Sequence, residues 1–201
     1  HFNGMTGEYY YPEIMAPGVG LLDYDNDGDL DVYLVQGKLL GSGKTMAQAM
    51  FTPVGELRDR LFRNDLTVAA NGTRTLRFTD VTSASRIDVR GYGMGVAAGD
   101  IDNDGWVDLY RTGLERSTLL RNNHDGTFSD VTTRAGVDNR AWGVPASFVD
   151  YDRDGWLDLY VGNYVDYSIE RDIRCISVTG GRDYCPPGTY RAQPGHLYHN
   201  Q

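Results

Sequence analysis

The chain has little cysteine, histidine or proline: two, four and seven in 201 residues. No apolar run approaches the ~20 residues of a membrane-crossing helix. Lys and Arg are outnumbered, 19 against 28 acidic residues, for a formal charge of -9. That balance argues against nucleic acid or an anionic membrane surface as a partner. The histidines are His1, His124, His196 and His199. No Ser–His–Asp or Cys–His set assembles around them from sequence order, so no enzyme activity is expected. His196 and His199 read as surface or strand residues. His1 joins an imidazole to an α-amine, a copper-chelating pair in some oxidases, but such a site would need His1 to be the true mature N-terminus and a further histidine on a flat face, and it is not expected. The chain opens at His1 without a signal-like segment, as a mature, trimmed or partial product would.

The two cysteines, Cys175 and Cys185, lie ten residues apart in a Gly- and Pro-containing stretch. They are too few for a structural zinc site. A local disulfide is preferred over two free thiols. Such a bridge would contribute about 2–3 kcal/mol, and it would imply an oxidising, extracytoplasmic compartment.

What the chain does have is glycine, tyrosine and aspartate. Apolar residues make up 40%, enough for a globular core in one domain over 1–201. Twenty-five glycines beside 14 tyrosines suggest short strands joined by tight turns. The stretch "DYDNDGDLD" packs five aspartates into nine residues, and its pattern returns twice. The three copies are Asp23, Asp25, Asp27 and Asp31; Asp100, Asp102, Asp104 and Asp108; and Asp150, Asp152, Asp154 and Asp158. Carboxylates stand at positions 1, 3, 5 and 9, with glycine at 6. A hard Ca²⁺ ion takes six to eight oxygens, and a turning loop supplies them from alternate residues. Position 7 would add a backbone carbonyl, from Asp29, Trp106 or Trp156. Mg²⁺ fits less well, because it keeps its waters. An EF-hand would need a glutamate at position 12, where Leu34, Arg111 and Val161 stand. About three calcium ions are therefore expected.

The repeat extends beyond the loop. "LDVYLV", "VDLYR" and "LDLYV" follow the acids with strand-like patterns. "LFRN", "LLRN" and "LYHN" end at Asn64, Asn122 and Asn200, and "FTDVT" and "FSDVT" follow the first two. Four short strands per unit is the content of a propeller blade. The units run roughly over 12–82, 91–132 and 141–201, with inserts near 38–60 and 163–195. Helical turns are expected in the first insert, at "TMAQAMF" and "GELRDRLF". Tyr9, Tyr10 and Tyr11 are expected to pack under the first blade, and Trp106 and Trp156 to share a packing role. Asn71-Gly72-Thr73 is a glycosylation sequon where a turn is expected.

"DxDxDGxxDLY" followed by "LxRN…GTFxDVT" resembles the FG-GAP/VCBS repeat, the blade of integrin α-chain-type β-propellers. "HFNGMTGEYYYPEIMAPGVGLLDYDNDGDLD" and "YCPPGTYRAQPGHLYHN" bring it nearer to the extracellular propellers of the ASPIC/UnbV and cartilage acidic protein group. The resemblance covers nearly the whole chain apart from the first insert. It implies an all-β fold of about three propeller-type blades of four short antiparallel strands, incomplete or open, since closed propellers have about 4–8 blades. It also implies that the twelve aspartates at positions 1, 3, 5 and 9 are the calcium ligands. Arg153 departs from Asn26 and Asn103 at position 4, and a cation there is expected to weaken the third site. The function expected is an extracellular calcium-binding structural or adhesion module with a protein or glycan ligand. The alternative is a self-assembling subunit of a surface filament, in which residues 1–16 of one copy complete the third blade of another.

Overall fold

The computed structural model describes residues 2–201. His1, with its copper-chelating combination, lies outside the described residues. Among the described residues, fifteen short strands and four 3₁₀ turns make up the regular structure, so the fold is all-β. The first sheet contains β1 (Val19–Leu22), β2 (Asp31–Leu34), β3 (Arg60–Asn64) and, beyond the small hairpin β4–β5 (Thr67–Val68 and Arg74–Thr75), β6 (Phe78–Asp80). The second contains β7 (Gly93–Gly99), β8 (Asp108–Gly113), β9 (Thr118–Asn122) and β10 (Phe128–Asp130). The third contains β11 (Gly143–Val149) and β12 (Asp158–Asn163). It is completed, after the small hairpin β13–β14 (Cys175–Ile176 and Arg182–Asp183), by β15 (His196–Tyr198). Each sheet is antiparallel and follows chain order from its inner to its outer strand. The first two have four strands and the third has three, and no barrel closes.

The blades stack because each strand buries residues against a neighbour. Tyr33, Leu61 and Ile87 of the first blade meet Leu109, Leu120 and Phe128 of the second in one core. Tyr110, Leu119 and Val137 of the second meet Leu159 and Val161 of the third in another. Along the inner edge β1 lies beside β7, and β7 beside β11. Glycine makes that approach possible: a Cβ on Gly95 would lie 2.5 Å from the Val144 carbonyl oxygen. A buried ion pair also joins the first two blades. Asp59, at the end of the first insert, takes the Arg111 Nε at 3.1 Å and the Tyr33 hydroxyl at 2.9 Å.

A third core lies where sequence reasoning placed none. Tyr11, Trp142, Tyr164, Tyr167 and Tyr190 form an aromatic cluster with Tyr92, Leu40 and Val165. Tyr11 is therefore packed against the second insert and the third blade, not under the first. The reason is chemical, because the second insert supplies tyrosines of its own and the Tyr11 and Tyr164 hydroxyls bond at 2.8 Å. Two further contacts hold the N-terminal segment there. Arg182 donates to Glu8 at 2.6 Å, and the Tyr184 hydroxyl to Glu13 at 3.3 Å. Residues 2–16 thus have a seat within their own chain, which removes the premise that they are free to complete another copy.

Two details differ from the helical expectation for the first insert. Only Met46–Gln48 turns, as a 3₁₀ segment with the Gln48 side chain accepting the Thr45 N–H at 2.9 Å. "GELRDR" forms no helix; it bends at Gly55 and again at Leu57 and Arg58 and enters β3 at Arg60. The sequon sits in the β4–β5 hairpin, exposed throughout, with Gly72 at φ 80.

Cys175 and Cys185 form a disulfide with Cα atoms 5.2 Å apart, closing the β13–β14 hairpin. Non-reducing peptide mapping should recover Cys175 joined to Cys185. Replacing both with serine should lower stability by about 2–3 kcal/mol in urea unfolding, and an unchanged midpoint would show that the bridge staples nothing.

Candidate metal centres

The aspartate loops connect β1 to β2, β7 to β8 and β11 to β12. Each is folded by its own carboxylates. The position-1 aspartate accepts the N–H groups of positions 5 and 6. Asp23 takes Asp27 and Gly28 at 3.1 and 2.9 Å, Asp100 takes Asp104 and Gly105 at 3.1 and 2.8 Å, and Asp150 takes Asp154 and Gly155 at 3.2 and 3.1 Å. Position 5 accepts the N–H of position 7. The turn needs two left-handed residues. One is the glycine, at φ 91, 86 and 93, and the other is position 4, where Asn26, Asn103 and Arg153 have φ 57, 54 and 66. Asparagine tolerates that region better than most residues.

Position 9 has a different task. Asp31, Asp108 and Asp158 are fully buried. One oxygen of each takes the N–H of position 2 and the other takes the N–H of the asparagine that ends the third strand. The distances are 3.0 and 2.8 Å for Asp31, 3.0 and 2.7 Å for Asp108, and 3.2 and 2.9 Å for Asp158. In Asp31 and Asp108 burial pushes the carboxyl up to about 6, against the pull of those N–H groups.

Carboxylate oxygens converge in every loop. Ligand atoms of Asp23, Asp25 and Asp27 lie within 4.8 Å of one another, as do those of Asp100, Asp102 and Asp108, and of Asp150, Asp152 and Asp154. Asp152 and Asp158 converge in the same way with His199. These clusters could hold a metal ion. At position 3, one oxygen each of Asp25 and Asp102 (Oδ1) is buried without a hydrogen-bond partner. Burial and then the charges of Asp27 and Asp23 raise the Asp25 carboxyl. The carbonyls of Asp29, Trp106 and Trp156 at position 7 accept no hydrogen bond from a described residue.

The residue before each strand-ending asparagine escaped sequence reading. Arg121 donates to Asp102 at 2.5 Å and to Asp104 at 3.1 Å. His199, in the same place in the third unit, lies 3.0 Å from Asp158 and 3.6 Å from Asp152. Arg63 pairs with Asp65 at 2.7 Å and also acts on Asp25 through its charge. The signal was present in "LFRN", "LLRN" and "LYHN", a cationic or titratable residue at a fixed place. The strands read as apolar pattern hid its role. Trp106 stacks on His124 at 5.4 Å, whereas Trp156 is exposed and has no ring partner among the described residues, so the tryptophans do not share one packing role.

Position 4 links neighbouring loops. Asn26 donates to the Gly105 carbonyl at 3.0 Å, and Asn103 to the Gly155 carbonyl at 2.9 Å. In the first two loops this side chain reaches the next loop rather than its own carboxylates. Arg153 is exposed and makes no hydrogen bond or ion pair to a described residue.

Asp108→Ala should leave the Ile101 and Asn122 N–H groups buried and unpaired, at about 1–3 kcal/mol each, read by urea unfolding. The two raised carboxyls also set a pH dependence in chelator. Their folded values exceed the ordinary unfolded value of about 3.9, so their contribution is fully present below that value and is lost as pH rises through about 6. The stability difference between the parent and Asp108→Asn should therefore shift in favour of the parent on going from pH 7 to pH 5. A difference that does not change with pH would contradict the burial of this carboxyl.

No curated protein matches the chain in a sequence search. Residues 101–161, from the second loop through most of β12, match the family model of the FG-GAP-like repeat, and this part of the chain is similar to that repeat.

Proposed function

We propose that the chain is an extracellular calcium-binding structural or adhesion module of the propeller type. The observation that carries the ion is the pair of buried, unpartnered oxygens on Asp25 and Asp102. A buried carboxylate oxygen without a donor is costly unless a cation stands beside it. All-oxygen sets on flexible loops favour Ca²⁺ over Mg²⁺. The ligands are read as Asp23, Asp25, Asp27 and Asp31 with the Asp29 carbonyl. In the second loop they are Asp100, Asp102, Asp104 and Asp108 with the Trp106 carbonyl, and in the third Asp150, Asp152, Asp154 and Asp158 with that of Trp156. Position 9 would serve its ion while holding two backbone N–H groups.

The module reading draws on the FG-GAP-like match, because such repeats are propeller modules often found in extracellular, adhesive proteins. Disulfide Cys175–Cys185 supports an oxidising compartment. No helix among the described residues is long and apolar enough to cross a membrane. The finer likeness to the ASPIC/UnbV and cartilage acidic protein group rests on the N-terminal and "YCPPGTYRAQPGHLYHN" stretches. The partner is read as a protein or glycan, and the chain as a non-enzyme.

One observation favours the filament alternative. Apolar side chains are exposed at both ends of the blade row, with Val19 and Leu21 on the first blade and Val149 and Tyr160 on the third. Copies meeting head to tail would cover them. Sedimentation of the intact chain separates the readings, since a monomer at high concentration with calcium present rejects the filament.

Calcium itself is tested by chelation. At about 2 mM calcium and a dissociation constant near 0.1 mM, each site adds about 1.8 kcal/mol by linkage. Excess EGTA should lower the melting temperature markedly, and Asp104→Ala should remove most of one site's share. A melting curve that ignores EGTA would reject the calcium reading.

A further inference from the structure

Arg63 and Arg121 occupy the same place in the first two units, next to the asparagine that ends the third strand, yet they serve different partners. Arg63 donates its Nε to Asp65 at 2.7 Å. Arg121 instead lies on its own aspartate loop. Its Nε meets Asp102 Oδ2 at 2.5 Å, and its Nη2 meets Asp104 Oδ2 at 3.1 Å. His124 Nε2 lies 2.5 Å from the same Asp104 oxygen.

The residue two places after each arginine accounts for the difference. Asp65 and Asn123 are equivalent in the fold, and each accepts a hydroxyl from the fourth strand, from Thr79 in the first unit and from Ser129 in the second. Asp65 adds a carboxylate. The Thr79 hydroxyl and then Arg63 hold its carboxyl below the ordinary value, so it is ionised at neutral pH. Asn123 is neutral. Its oxygen takes the Ser129 hydroxyl, and its amide nitrogen donates to the Thr127 hydroxyl at 2.9 Å. A guanidinium seeks a carboxylate in a forked geometry, and with none at residue 123 it takes those of the loop. The converging carboxylates differ accordingly. In the first loop they are Asp23, Asp25 and Asp27, whereas in the second Asp108 stands with Asp100 and Asp102 in place of Asp104.

We propose that Arg121 is a built-in competitor for the second ion site, and that the contrast between Asp65 and Asn123 makes the first loop bind calcium more tightly than the second. This rests on the calcium reading of the loops. An ion entering the second loop needs carboxylates that a tethered cation already holds. Its apparent affinity falls with the fraction of time those carboxylates are free. In the first loop Asp65 holds the equivalent cation away from that competition. Because the Arg121 contacts are partly exposed, the expected grading is about fivefold rather than many decades.

The glycine at position 6 of each loop provides a local reporter, since the Gly28 and Gly105 N–H groups donate to Asp23 and Asp100 of their own loops. Calcium is titrated into the intact, ¹⁵N-labelled chain at constant pH, and the shift of each glycine amide is followed. The Gly28 midpoint should fall at lower calcium than that of Gly105. Arg121→Gln and Asn123→Asp should each lower the Gly105 midpoint about fivefold, and Asp65→Asn should raise that of Gly28. Asn123→Asp also adds a negative charge, so the double variant with Arg121→Gln separates capture of the arginine from charge alone. Without Arg121, Asn123→Asp should change the Gly105 midpoint little. A Gly105 midpoint that Arg121→Gln leaves in place would overturn the proposal with calcium binding intact. So would an Asn123→Asp gain undiminished in the double variant, or a Gly28 midpoint indifferent to Asp65→Asn. Absence of any calcium-dependent shift in the parent would instead reject the calcium reading and the proposal with it.

Discussion

Each blade hangs on a single buried carboxylate. Asp31, Asp108 and Asp158 tie the start of an aspartate loop to the end of the strand two places further out. Between those points the chain runs through inserts of very different length, and the carboxylate shares the task of holding the ends together with the strand ladder that starts beside it. A carboxylate has four lone-pair sites and can serve two N–H groups and still face a cation. The same residue therefore fixes the blade's register and completes the candidate ion site. In Asp31 and Asp108 burial raises the carboxyl, so the geometry of those loops and the proposed ion would act on the same group.

Much of this was legible in the sequence because it repeats. The 1-3-5-9 spacing, the glycine at 6 and the strand patterns located the loops and the sheets, and the spacing of Cys175 and Cys185 pointed to their bridge. What stayed hidden depends on contacts between distant parts of the chain. Tyr11 carries no mark that distinguishes packing under the first blade from packing on Tyr164 and Tyr190. Arg121 and His199 sit inside strand motifs, and only register aims them at the carboxylates. Trp106 and Trp156 share a loop position, yet only the second unit has a His124 to stack on. The helical pattern of "GELRDR" lost to tertiary pairing, because Asp59 is held by the Val89 carbonyl and by Arg111 and Arg60 already belongs to β3.

The aromatic cluster around Tyr11 and Trp142 changes how the inserts are understood. In a minimal unit such as the second, a blade needs no cover beyond its neighbours. The third unit spends 42 residues between Asp158 and Asn200, and part of that length returns as core: Val165 and Tyr167 are buried. The disulfide then closes the β13–β14 portion of the insert, whose residues are mostly exposed. Chain ends and inserts that look peripheral in sequence thus make up a second layer bound to the blade row.

The asparagine contacts between loops run in one direction only. Position 4 of one loop donates and position 6 of the next accepts, from Asn26 to Gly105 and from Asn103 to Gly155. The row of loops therefore has polarity, with a Gly28 carbonyl that accepts no hydrogen bond from a described residue and a changed donor at Arg153. A carboxamide there is neutral and short, and it sets neighbouring loops at a fixed spacing. A guanidinium is long, charged and a donor only. A guanidinium at Arg153 still donates, so a neighbour brought against the third loop would meet a donor of longer reach that serves a carbonyl or a carboxylate alike.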